Sequence, residues 1–177
     1  ALCLTRQKLP VLDRSKYAPA SGAARGGYVL AEASAFEHSE GAQIEELTTL
    51  PEVILVATGS EVSLALQARE RLEADGTPTR VVSMPCMEWF AAQDSAYREH
   101  VLPHEVRARV AVEAGIAQPW HQYVGDRGEV VSLEHFGASA PYEVLYEQFG
   151  FTPDAVVAAA HATLSRNAAI TGSTTGN

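Results

Sequence analysis

Apolar positions along the chain recur in two distinct rhythms. Val53-Ile54-Leu55-Val56-Ala57 is apolar without interruption and β-branched at several positions, the pattern of a strand covered on both faces. Thr79-Arg80-Val81-Val82-Ser83 and Arg109-Val110-Ala111-Val112-Glu113 read the same way, and Glu129 to Leu133 predicts a fourth buried strand. Gly26 to Leu30 predicts a shorter strand ahead of this series. Between the strands the spacing changes to three and four. Val62, Ala65, Leu66, Arg69 and Leu72 share a helix face, with Ser60 as predicted N-cap, Glu61 in the first turn and Gly76 as the stop. Short helices are predicted over Ser95 to Val101, Trp120 to Val124 and Pro141 to Phe149. The last helix has the strongest start signal. Thr152 caps it, Pro153 occupies the first turn, Asp154 complements the dipole, and Phe151 with Val156 forms a hydrophobic staple. Val157, Ala160 and Leu164 carry its apolar stripe toward Arg166.

Strand and helix alternate from Val53 onward. That predicts an α/β fold of three layers, α/β/α, around a mostly parallel five-stranded sheet. The strand at Tyr28 precedes the alternation and is joined to it by a long acidic stretch, which makes it the antiparallel edge strand. Three segments are polar or turn-rich. Residues 1–24 begin with an apolar run, Ala1 to Thr5, that reads as the end of an upstream domain, followed by a linker with Pro10, Pro19 and Gly22. Ser34 to Pro51 carries several carboxylates and reads as a solvated surface segment. Residues 167–177 read as a disordered tail. Residues 25–166 are left as the folded unit.

Composition narrows the function. The 177 residues carry 13 basic and 22 acidic side chains, a net charge of -9, so the chain lacks the basic stripe that nucleic-acid binding requires. No apolar run is long enough to span a membrane. Cys3 and Cys86, far apart and without CxxC spacing, suggest a reducing, cytoplasmic setting with no disulfide.

Candidate chemistry is sparse. His100 and His104 have the i, i+4 spacing of paired metal ligands, but Pro103 interrupts the helix that would align them, and surface histidines are the better reading. Cys86 has no activating histidine and reads as a structural thiol. The turn Thr58-Gly59-Ser60-Glu61 leads from a strand into a helix, where backbone amides can cradle an anion. Glu61 opposes this, and a simple N-cap is favoured. Glu113 and Glu134-His135 close two strands at the rim where open α/β sheets place ligands, and an ionic rim at a subunit contact is the favoured reading. Arg6 follows an apolar strand, a position that can offer a planar guanidinium fork to a phosphate.

Several segments together resemble the C-terminal portion of transketolases. They are Leu4-Thr5-Arg6-Gln7-Lys8-Leu9-Pro10, Ala24 to Leu30, Ala57 to Val62, Arg80 to Pro85, Arg109 to Gly115, Phe136 to Pro141 and Phe149 to Thr152. The resemblance implies a C-terminal domain that supports a homodimer and is not itself catalytic. In the whole enzyme it implies thiamine diphosphate with Mg²⁺ or Ca²⁺, bound outside this chain, and transfer of a two-carbon ketol unit between sugar phosphates. It also implies one site residue here, Arg6, as a contact to the substrate phosphate. The alternatives are the equivalent domain of a related thiamine-dependent enzyme, or a stand-alone regulatory domain binding a small anion at Thr58 to Glu61.

Overall fold

The computed structural model describes residues 7–34 and 50–173; Cys3, Arg6 and the acidic stretch 35–49 fall outside them. Five strands form one sheet: β1 (Tyr28–Ala31), β2 (Val53–Ala57), β3 (Thr79–Ser83), β4 (Arg109–Val112) and β5 (Glu129–Val131), in the order β1-β3-β2-β4-β5. β1 runs antiparallel to β3, pairing Tyr28 with Ser83 and Val29 with Val82, and the other pairings are parallel. The mixed α/β sheet with its antiparallel edge strand is the one expected.

β2 lies at the centre, and all five of its residues are buried. Because successive side chains leave opposite faces of a strand, β2 feeds two cores. Val53, Leu55 and Ala57 join Val81, Val110 and Val112 under α1 (Val62–Ala74) and α6 (Pro153–Ser173). Ile54 and Val56 join Val82 and Ala111 on the opposite face, beneath α2 (Met87–Ala91), α3 (Ser95–Val101) and α4 (His121–Val124). Phe90, Trp120 and Tyr123 fill that second core, with Tyr123 packed against both other rings at centroid distances of 6.0 and 6.4 Å.

Arg80, buried, and Arg109, half-buried, tie the layers together. Arg80, 6% exposed on β3, grips Glu32 through two hydrogen bonds (2.8 and 3.0 Å) and donates to the carbonyls of His100 and Val101. Arg109 on β4 donates to the carbonyls of Val106, Tyr123, Leu102 and Pro103. Each guanidinium thereby bonds carbonyls in the last turn of a short helix, His100 and Val101 of α3 for Arg80 and Tyr123 of α4 for Arg109.

The helix boundaries follow local rules with two departures. The Ala155 amide donates to Thr152 Oγ1 (3.2 Å), and Phe151 and Val156 are buried in one core, as capping and staple predict. Gly76 ends α1 at φ 84°, and Thr77 N–H returns to the Leu72 carbonyl at 2.8 Å. Ser60, however, is not the cap of α1; it lies in a 3-10 turn, Gly59–Glu61, and its hydroxyl turns to Glu61. α6 also continues past Arg166 to Ser173. Asn167 holds that extension by donating to the Thr163 carbonyl (2.7 Å) and accepting from Arg127 (3.3 Å). The segment at 129–133 differs from expectation as well: β5 spans three residues, each only half-buried, because it lies at the sheet's edge.

Residues 7–19 contain no strand or helix, yet they are attached. Leu12 and Tyr17 pack on the first core, Asp13 organises a turn through Ser15, and Ala18 N–H donates to the Leu30 carbonyl (3.0 Å). Gly26 is the tightest point that follows. Its φ is 83°, and a Cβ there would fall 2.3 Å from the Phe90 amide nitrogen and 2.4 Å from the Cys86 carbonyl oxygen. A Gly26→Ala variant therefore combines left-handed strain with a backbone clash. Urea unfolding should show a loss of at least roughly 2 kcal/mol. A midpoint matching the parent chain would show that this contact is not tight.

Candidate functional site

Open α/β sheets present their chemistry at the carboxyl ends of the parallel strands. Here β2 ends at Ala57 and leads into Gly59-Ser60-Glu61, β4 ends at Val112 before Glu113, and β5 leads to Ser132 and Glu134. α5 (Tyr142–Gln148) crosses beside them, with no residue of its own fully buried.

The most enclosed group at this rim is Glu61. The sequence placed it in the first turn of a helix; it is 4% exposed. The Ser60 hydroxyl donates to its Oε1 at 2.8 Å, and the Tyr146 hydroxyl donates to the same oxygen. Tyr146 Oη also lies 2.9 Å from Ser60 Oγ and accepts a hydrogen bond from the Gln7 side-chain amide at 3.4 Å. Burial, reinforced by the hydrogen bond to Glu61, pushes the Tyr146 phenol up to about 12. The phenol thus keeps its proton at any physiological pH and remains a donor to the carboxylate.

Glu113 sits half-buried nearby. Burial pushes its carboxyl above the ordinary value, the Glu61 charge adds to this, and a hydrogen bond from Trp120 opposes it. Glu134 lies fully in solvent and differs in kind: hydrogen bonds from Ser132 (2.7 Å) and the Ala117 amide (2.8 Å) hold its carboxyl below the ordinary range. His135 turns to the Phe136 carbonyl and stacks edge-on against Phe149. The rim is therefore acidic, and its carboxylates are engaged by the chain's own donors.

This arrangement does not fit an anion at Thr58 to Glu61. The Glu61 amide is taken by the Thr58 carbonyl (3.1 Å), and the carboxylates of Glu61 and Glu113 give the location the wrong sign. The other candidates are also accounted for. His104 pairs with Glu99 at 2.5 Å, and no group of three His, Cys, Asp or Glu among the described residues could hold a metal ion. The Cys86 thiol contacts Glu88 at 3.5 Å. An open cleft of about 350 Å³ lies between the arriving chain at Leu9 to Leu12 and the surface formed by Tyr28, Leu30, Ser60 and Ser63. Among the described residues that line it, Arg14 is the cation, and it is bound to the Ala18 carbonyl (2.8 Å).

Arg6, the predicted phosphate contact, lies outside the described residues, and the structure begins with its neighbour Gln7. Sequence reading missed Gln7 and Tyr146 as members of the rim. Gln7 was visible only as part of Thr5-Arg6-Gln7. Tyr146 gave no signal, since its partners Ser60 and Glu61 are more than 80 residues away in the chain.

Fold and rim together describe a three-layer α/β domain whose strand ends are closed by its own side chains. The model of the transketolase-like C-terminal domain matches residues 26–152. Transketolase of Mycobacterium tuberculosis is 53% identical over 163 residues, 92% of this chain and 22% of that protein. Transketolase 1 of Escherichia coli is 51% identical over 160 residues, 90% of this chain and 22% of that one. Among solved structures, the Pichia stipitis transketolase in complex with sedoheptulose 7-phosphate superposes with a TM-score of 0.72 at 32% identity, covering 90% of this chain and 20% of its own. The chain belongs to the transketolase-like C-terminal domain family, and it spans little more than a fifth of the length of the curated relatives it matches.

The Glu113 environment makes a pH prediction. A carboxyl raised in the folded state binds its proton more tightly there than in the unfolded chain. Between the two values stability falls as pH rises, and the deficit persists above the folded value. Glu113→Gln removes the penalty. Urea unfolding should therefore find the variant more stable than the parent at pH 8, with the gap shrinking as pH falls toward the ordinary carboxyl range. An equal difference at both pH values would show that Glu113 is not desolvated.

Proposed function

We propose that this chain is the C-terminal part of a thiamine-diphosphate-dependent transketolase, a cytoplasmic homodimer that moves a two-carbon ketol unit between sugar phosphates. The observation that carries the reading is an identity of 53% across 92% of the chain with an enzyme of that name. The sugar phosphate bound in the Pichia stipitis relative supports the substrate class. In this reading residues 1–24 close the pyrimidine-binding domain and its linker, and residues 25–166 are the C-terminal domain.

The described residues do not fit the cofactor. They offer no metal-binding cluster, and the strand-to-helix turn best placed for a diphosphate has a buried carboxylate beside it. Thiamine diphosphate and its Mg²⁺ or Ca²⁺ belong to the rest of the enzyme, and no bond making is assigned to these residues. The chain contributes a supporting α/β domain and, through Arg6, one contact to the substrate phosphate. A guanidinium suits that task because its planar fork makes charge-assisted, bidentate bonds to phosphate oxygens.

Two outcomes test the reading. The isolated chain should unfold cooperatively and show no ketol transfer when given thiamine diphosphate, Mg²⁺ and sugar phosphates; turnover would overturn the assignment of the chemistry to other domains. In the full-length enzyme, Arg6→Ala should lower kcat/KM for a phosphorylated ketose by roughly 10- to 100-fold. Lys at the same position should recover part of the loss. An unphosphorylated ketose should be turned over as well by the variant as by the parent; equal losses on both substrates would remove Arg6 from the phosphate site.

A further inference from the structure

Residues 132–141 lead from β5 to α5 along the carboxyl rim without a helix or strand. Their first part is fastened. The Leu133 amide donates to the Gly115 carbonyl (2.8 Å), and Glu134 accepts from the Ser132 hydroxyl and the Ala117 amide. The His135 ring lies edge-on against Phe149, 4.9 Å between centroids. The next side chain, Phe136, is 98% exposed. Residues 137–140 are exposed too, and they make no hydrogen bond with the other described residues. Ile116, between the Gly115 and Ala117 anchors, is 54% exposed, and Val144 on α5 is 48% exposed. An apolar side chain left in water adds nothing to the stability of this domain, and several on one rim mark a contact surface.

Charge and the path of the chain say what covers it. Glu113, Glu134 and Glu143 each lie within three residues of one of these apolar positions, and none of them pairs with a Lys or Arg among the described residues. Two such rims placed face to face would bring like charges together, which disfavours a second copy of the same surface as the occupant. The chain itself arrives at this rim: the Gln7 side-chain amide reaches Tyr146 on α5, two residues beyond Val144. The curated relatives are more than four times as long as the part matched here. We propose that Ile116, Phe136 and Val144 form the docking surface for the domain that precedes this one in the same polypeptide, with Phe136 seated in an apolar recess edged by Lys or Arg. The proposal rests on the reading of residues 1–24 as the close of an upstream domain and its linker. Because that connection is anchored at Gln7, the preceding domain starts beside the surface it covers. Docking is then intramolecular and has the high effective concentration of a short tether.

The test uses the full-length enzyme, with the 177-residue chain as its reference. Hydrogen exchange in peptides covering residues 134–145 should be at least roughly tenfold slower in the full-length enzyme than in the chain alone, and Phe136→Ser should return it to the fast rate. The same substitution should leave the urea midpoint of the 177-residue chain unchanged, because the side chain is in water there. A photoreactive benzoylphenylalanine in place of Phe136 identifies the occupant. Irradiation of the full-length enzyme should give an internal cross-link, at the mass of one subunit, to a residue that precedes Ala1. A cross-linked species of twice the subunit mass would assign the surface to a second copy and overturn the proposal. Cross-links confined to residues 1–177 would overturn it too, as would equal exchange in the two proteins. The proposal and the assigned function fail separately. If the full-length enzyme shows no ketol transfer, the function falls, whatever Phe136 touches. If it turns over sugar phosphates while Phe136 meets a second copy or stays in solvent, the docking surface alone falls.

Discussion

β2 must be apolar on both faces because it has neighbours in every direction. β3 and β4 take its hydrogen bonds, and helices cover it above and below. A polar side chain anywhere along Val53–Ala57 would be buried without water, at a cost of kilocalories unless paired. The two cores exist because this strand supplies alternate residues to each. The register of β3 and β4 on β2 in turn sets which turns meet at the carboxyl rim. The meeting of the Glu61 turn with Glu113 follows from that arrangement.

The same constraint explains what was legible in the sequence. Runs such as Val53–Ala57 and Val110–Val112 read as buried strands, and Thr152-Pro153-Asp154 states a helix start in local chemistry alone. β5 was misjudged because Val130 and Val131 are apolar for a half-covered edge, which composition does not distinguish from a centre. Ser60 was misjudged for a different reason. A capping serine accepts from a backbone amide of the first turn, whereas the Ser60 hydroxyl donates to Glu61 and lies 2.9 Å from Tyr146 Oη, facing the rim. Contacts spanning 85 or 139 residues leave no trace in local pattern, so the rim network is a product of topology.

A rim that receives ligands in many α/β proteins is here occupied by the protein. Glu61 is satisfied by a serine and a tyrosine, Glu134 by a serine and a backbone amide. The parallel sheet provides the site, and α5 fills it. The segment ahead of residue 25 is attached to the same domain through Gln7, Leu12 and Tyr17.

Eleven of the 13 basic residues are arginine, and on an open surface lysine can replace them at little cost. Such an exchange fails at Arg80 and Arg109. Arg109 reaches four carbonyl oxygens from three different nitrogens, and Arg80 holds a carboxylate with one edge of its guanidinium and two carbonyls with another nitrogen. An ammonium group has three donors on a single atom and cannot span such a set. A lysine in place of either would leave several of these carbonyls without a donor, so both positions are fixed by geometry and not by charge.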